Sequence, residues 1–340
     1  MQNAIRTASA TNEPIHLSAL LRTCQQLRVT PLRNQHAEDA DRHTLQLAQR
    51  LGLLTGPVEL ARYHASRFTE LTATAYPQAS AKVLQVANLW HYWLWSFDDR
   101  TDVRSGDLAI DLPRHERIVS ALLDLLAKHN LPPTQEAADP NVQLLQRILE
   151  NLKAVAPHPC VRRFQHAVRE YLVRGSLPGA RNWAADHTPN PETFLSQRIH
   201  EGAYETILPF IELAVGSAAD DAVVTSIEAQ RIARLSNLIV VVSNDIFSYE
   251  KEVLREGNPN NLLHAIMTHE HLDLRGATLR AIALVEEWTA ELLTIAARAK
   301  TNLRRYIRGN YTWIAASHHW HFASGRYVST TSPFAELRRP

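Results

Sequence analysis

Cys24 and Cys160 are the only cysteines in 340 residues. They are too few for a disulfide framework and lack the spacing of a zinc site, so a reducing, cytoplasmic setting is expected. A charge excess is also missing. Lys plus Arg number 36 against 35 for Asp plus Glu, a formal charge of +1, which implies no general attraction to nucleic acid and confines any anion-binding surface to a local patch. No apolar run approaches a membrane span, and the opening MQNAIRTASATNEP has none long enough for a signal peptide. Its basic, acid-poor character hints faintly at a transit peptide, but a floppy terminus is the simpler reading. Strand signals are scarce, no period of 20 to 50 residues recurs, and no linker separates two halves, so a solenoid or a two-domain layout is disfavoured. What remains is a chain of ordinary globular composition, 45% hydrophobic and 21% charged, long enough to bury a large core.

The patterns that are present have helical spacing. Apolar residues within 37–54 recur at three and four, and Gly56-Pro57 stops them; a second helix over 58–75 ends at Tyr76-Pro77. The third, 80–102, is apolar almost all round, as at the centre of a bundle. Helices are further expected over 115–129, 142–155 and 162–173, then, after a turn-rich segment SLPGARNWAADHTPNP read as a long loop, over 191–215 with a break at Gly202. The last four are 227–254, 262–271, 274–299 and 302–321. The expected fold is all-α: one bundle of ten or so helices over 30–327, between a flexible extension at 1–29 and a tail at 328–340.

Two polar faces interrupt this apolar pattern. The third helix ends in Asp98, Asp99 and Asp102. Asp98 and Asp102 share a face and Asp99 points about 100° away. Carboxylates at a helix C-terminus repel one another and the dipole, which calls for a compensating positive charge such as a metal. Within SNDIFSYEKE, at 243–252, Asn244, Ser248 and Glu252 fall at i, i+4 and i+8. Amide, hydroxyl and carboxylate oxygens suit Mg2+, which commonly shares its coordination with phosphate oxygens. The plain alternative is the solvated edge of an amphipathic helix.

At these residues the chain resembles the bacterial class I terpene synthases, whose signatures are DDxxD and, downstream, NDxxSxxxE with a Lys before the Glu. Here they stand as Asp98-Asp99-Arg100-Thr101-Asp102 and as Asn244-Asp245 through Ser248 to Lys251-Glu252. The family also carries a diphosphate-sensing Arg 46 residues before the Asn, matched by Arg198, with linker and effector residues at a helix break, matched by Glu201 and Gly202. An Arg-Tyr pair is expected some eighty residues after the Asn, and Arg326-Tyr327 lies 82 on. The similarity runs from about residue 30 to 327. It departs in the last helix, where Ala316-Ser317 stand for the family's Gly-Asn, putting local helix geometry in question.

The resemblance implies a helical bundle around a central cavity, a prenyl diphosphate substrate and three Mg2+ ions. Two would be held mainly by Asp98 with the rest of its motif, and one by Asn244, Ser248 and Glu252. Arg198, Lys251, Arg326 and Tyr327 would bind the diphosphate; Asp99 is either a ligand or a tether for Arg326, and Asp102 is the less secure ligand. Ionising an allylic diphosphate requires neutralising the leaving charge, and the carbocation left behind needs aromatic faces and exclusion of water. Leu94, Trp95 and Trp320 are the expected pocket walls, with ordinary core packing as the competing reading of the tryptophans; Trp90, Trp93 and Phe97 are assigned to packing between helices, and the histidines to no metal. Farnesyl diphosphate is the expected substrate, with geranyl and geranylgeranyl diphosphate open, and a monomer or homodimer is expected. Two other activities share the fold. A chain-elongating prenyltransferase needs a second aspartate-rich motif, whereas Asp220-Asp221 lacks its third acid. A non-catalytic binding protein predicts an eroded motif.

Overall fold

The computed structural model describes residues 14–339 apart from 31, 102, 110 and 219. Its helices are α1 Ser18–Gln26, α2 Ala37–Arg50, α3 Pro57–Ser66, α4 Phe68–Ala75, α5 Ala81–Thr101, α6 Leu112–Lys128, α7 Pro140–Val155 and α8 His158–Glu170. They continue as α9 Leu177–Ala184, α10 Pro191–Glu201, α11 Tyr204–Ala214, α12 Asp221–Val224, α13 Ile227–Tyr249, α14 Leu262–Glu270, α15 Leu274–Arg298 and α16 Arg304–Ala323. Among the described residues no strand forms; there are only isolated bridges, Ile15 with Phe334 and Ser329 with Arg338.

Short polar residues start many of these helices. Side chains of Asp111, Asp139, Asn190, Ser226, Asn261 and Asp273 each accept a hydrogen bond from a first-turn amide, relieving donors that have no intrahelical partner. Proline stands in the first turn of α6, α7 and α10, where its missing N–H removes nothing. α13 is buried on nearly every side because LIVVV at 238–242 is apolar all round. It packs against α15 and α16, while α5 lies among α2, α4, α7 and α11. One continuous cluster of buried apolar side chains runs from Ile15 to Leu337.

Three expectations need correction. The segment read as a long loop is largely helical: α8 passes through a π segment, Tyr171–Ser176, into α9. The wider π turn absorbs the chain before Pro178, which stands in the first turn of α9 where proline is tolerated. The limits at 29 and 327 do not bound the packed structure. Leu17, just before α1, and Leu20 on it are fully buried, and the tail buries Phe334 and Leu337; the rest of the extension, 1–13, lies outside the described residues. Both ends pack because the Leu17 amide donates to the Glu336 carboxylate and the Ile15 amide to the Pro333 carbonyl. Finally, among the described residues sixteen α-helices replace the ten or so expected, since breaks such as the one at Arg67, with φ 54°, divide stretches that read as continuous.

Candidate active site

α13 carries the downstream stripe and then widens into a second π segment, Glu250–Arg255. Ser248 is fully buried, which rules out a solvated edge. Its hydroxyl donates to Glu252 Oε2 at 2.8 Å, and Asn261 Nδ2 reaches the same oxygen at 3.3 Å. Asp245, also fully buried, receives Arg198 Nε at 2.8 Å and the Leu262 amide at 3.1 Å. Burial raises the Asp245 carboxyl to about 6, and Arg198 limits the rise, so it stays ionised at neutral pH. The remaining reach of Arg198 goes to Asn244, whose Oδ1 accepts from Nη2 at 2.8 Å.

The Asn244 amide is oriented from its other side too. His321 Nδ1 lies 2.6 Å from the Ser317 carbonyl oxygen; that oxygen only accepts, so Nδ1 carries the proton and Nε2 presents a lone pair. Asn244 Nδ2 donates to that Nε2 at 2.9 Å and approaches the Tyr327 hydroxyl at 3.4 Å. Burial holds the His321 imidazole low, at about 3, and hence neutral.

Facing this stripe is the end of α5. Arg100 points away from the cavity and binds Asp107, Asp139 and Asn141 at 2.7 to 2.9 Å, which anchors the helix end to α7. Asp99 is gripped by both Nη atoms of Arg326, at 2.9 and 2.8 Å, and approached by Lys251 Nζ at 3.4 Å. Desolvation would raise its carboxyl, but Arg326 and Lys251 overcome that and hold it well below the usual range. Of its two proposed roles, the tether is the one this geometry matches. Asp98 lies 3.6 Å from Arg326 Nη2 and 3.9 Å from Lys251 Nζ. Asp102 lies outside the described residues.

α10 ends at Glu201, and Ala203 turns the chain with φ 55°. Close approach at this break depends on glycine. A Cβ on Gly202 would meet Val241 Cγ1 at 2.1 Å, and one on Gly175, in the first π segment, would meet Glu201 Cα at 2.5 Å. Burial pushes the Glu201 carboxyl up to about 7 against the nearby Arg198.

Between these walls lies a cavity of about 900 Å3, its open mouth included, lined by Leu94, Trp95 and Trp320 among other residues. Trp95 stacks on Phe68 at 4.7 Å and meets Trp320 edge-on at 5.0 Å. Asp98, Arg198, Glu201, Gly202, Asn244, Glu252 and Tyr327 line the same cavity. Trp90, Trp93 and Phe97 are fully buried and stack with one another at 4.8 and 4.9 Å. α16 runs unbroken through Ala316-Ser317, so the departure there leaves the helix regular. Asp220 caps α12 and Asp221 pairs with Arg163, which gives both acids structural partners away from the cavity.

Sequence reasoning missed Asp245, Asn261, His321 and Phe68. Asp245 had a signal, as the acid beside Asn244 with nothing assigned to it, and NPNN at 258–261 had another. His321 was set aside as unsuited to a hard ion, although its part is to bond an amide.

Residues 89–291 match the family described as terpene synthase family 2, C-terminal metal binding. Pristinol synthase of Streptomyces pristinaespiralis is 29% identical over 94% of this chain and 87% of its own. (+)-T-muurolol synthase of Roseiflexus castenholzii, named as cyclising (2E,6E)-farnesyl diphosphate, is 30% identical over 87% of this chain and 90% of its own. In fold, the linalool/nerolidol synthase of Streptomyces clavuligerus superposes with a TM-score of 0.75 at 20% identity, over 86% of this chain and 98% of that one. The chain belongs to terpene synthase family 2 and is a terpene cyclase, a lyase with a metal-binding C-terminal region.

Proposed function

We propose that the chain is a Mg2+-dependent cyclase that ionises farnesyl diphosphate and cyclises the resulting cation. The observation that carries this is the placing of two oxygen-rich faces, Asp98 on α5 and Asn244 with Glu252 on the opposite wall, at one aromatic-lined cavity. The donor set fits a hard cation: all three stripe residues offer oxygen, and Ser248 Oγ and Glu252 Oε2 lie 2.8 Å apart. Asp98, with Asp102 of the same motif, would hold two ions, and Asn244, Ser248 and Glu252 a third, while Asp99 keeps to Arg326. When bound, the ions neutralise charge developing on the diphosphate as the C–O bond breaks.

The chain's own cations do the rest of the gripping. Arg326 Nε is buried without a partner, a donor left over for a diphosphate oxygen. Arg198, Lys251 and the Tyr327 hydroxyl would donate beside it, and Asp99 holds Arg326 in place. Glu201 and Gly202, at the turn that Arg198 precedes by one helical turn, would couple that Arg to the cavity wall. Leu94, Trp95 and Trp320 would shield the cation, the two indoles by their π faces. The name of the Roseiflexus castenholzii relative, a synthase cyclising (2E,6E)-farnesyl diphosphate, supports the C15 substrate. Incubation with geranyl, farnesyl and geranylgeranyl diphosphate, with Mg2+ and with chelator, tests this. Release of diphosphate from farnesyl diphosphate in Mg2+ alone is expected, and no release from any of the three would overturn it.

A further inference from the structure

His91 sits on α5, seven residues before Asp98, about 10 Å deeper by the helical rise. It is fully buried and lines the cavity. Its Nδ1 lies 2.8 Å from the Ala87 carbonyl oxygen, which only accepts, so the proton is on Nδ1 and Nε2 bears a lone pair. That Nε2 has no partner. The ring is stacked between Trp95 at 5.8 Å and Trp313 at 6.0 Å, both tilted by 20°, with Tyr76 5.7 Å away. Burial holds the imidazole near 4, so it is neutral at physiological pH. A buried acceptor without a donor is costly to maintain in an apolar cage. Here it is a basic atom carried by a residue of the cavity wall, well below the acidic motif.

We propose that His91 Nε2 is the base that ends the reaction by taking the terminating proton from the cyclised cation. This rests on the cyclase reading above. The C–H bond next to the cationic carbon breaks, its electron pair forms a C=C bond that neutralises the cation, and the proton passes to Nε2; if water has first attacked, the proton lost is that of the oxonium and the product is an alcohol. The imidazolium gives its proton to water when product leaves. A C–H beside a cationic carbon is so acidic that even a weakly basic imidazole suffices. The Trp95 and Trp313 faces hold the ring in place and stabilise the imidazolium that forms.

The test uses the full chain with farnesyl diphosphate and Mg2+, following diphosphate release and, by gas chromatography with mass spectrometry, products. His91→Phe keeps the aromatic stack and deletes the lone pair. Expected is diphosphate release within about threefold of wild type, while the share of the wild-type product falls by roughly tenfold in favour of other terpenes. An unchanged product distribution would overturn the assignment. A change of cavity shape alone is separated by His91→Ala supplemented with imidazole or with pyrrole, a ring of like size without the basic lone pair. Restoration of the wild-type product by imidazole only is expected, and equal restoration by both would overturn it. Absence of diphosphate release by the wild type would instead refute the cyclase reading.

Discussion

At the scale of single residues, the site depends on how polar atoms are turned as much as on which are present. The Asn244 amide is held from both sides, its Oδ1 accepting from Arg198 Nη2 and its Nδ2 donating to His321 Nε2, and the second bond helps fix which way Oδ1 faces. Replacing His321 with Leu should free the amide to rotate. Mn2+ binding with inorganic diphosphate, followed by electron paramagnetic resonance, is expected to weaken about tenfold, with partial recovery in His321→Gln; wild-type binding in the Leu variant would refute this positioning role. Asn244→Ala and Glu252→Ala are each expected to lower turnover by more than about a hundredfold while circular dichroism stays that of wild type. Near-normal turnover in either would remove the stripe from the chemistry. Asn244 and Glu252 were legible as candidates from their helical spacing together with the family resemblance. His321 was not, because the bond it makes spans 77 residues, and no local pattern reports which atoms meet across two helices.

At the scale of elements, the two π segments and the break after α10 set where the cations stand. Tyr171–Ser176 brings Gly175 so close to Glu201 that a Cβ would lie 2.5 Å from the Glu201 Cα. Gly175→Ala must therefore displace the end of α10 and with it Arg198. We expect a loss of about 1–3 kcal/mol in urea denaturation and a rise in the KM for the prenyl diphosphate; unchanged values of both would show that the contact gives way freely. The break at Gly202 was visible in the sequence, since glycine punctuates a helical pattern. The π segments were hidden. Their composition is that of ordinary helix, and only packing against a neighbour decides where one extra residue enters a turn.

At the scale of the whole molecule, the two ends of the chain hold the Arg326-Tyr327 pair from behind. Ser329 and Thr331 hydroxyls donate to Glu250 Oε1 at 3.1 Å, between Ser248 and Glu252 in sequence, and Phe334 bridges to Ile15. Removing the residues after Val328 should therefore weaken diphosphate binding as well as lower the melting temperature. Isothermal titration with diphosphate and Mg2+ measures the first, and unimpaired affinity in the shortened chain would show that Arg326 needs no such support. Global stability should also fall in acid. Burial lowers His115, which bonds Ser176, to about 4 from an ordinary 6.5. A depressed folded value means that this stability is complete above pH 6.5 and is lost as pH falls through 4, by up to about 1.4 kcal/mol per pH unit. His115→Gln should flatten the pH dependence of the urea midpoint between 6.5 and 4, and an equally steep dependence would acquit His115.

Taken alone, the order of residues determined the all-α class and most helix positions, because helical periodicity is a property of the chain read along its length; the register of Asp98, Arg198, Asn244 and Arg326 was legible through the family resemblance. Tertiary structure decided the rest. It showed Asp99 tied to Arg326 across 227 residues, turned the supposed loop into π and α helix, packed both ends of the chain onto the bundle, and left His91 with an unmatched lone pair. The physical reason is the same in each case. Burial and hydrogen bonding depend on which side chains meet in space, and a buried polar atom acquires its partner, or lacks one, only when distant helices close around it.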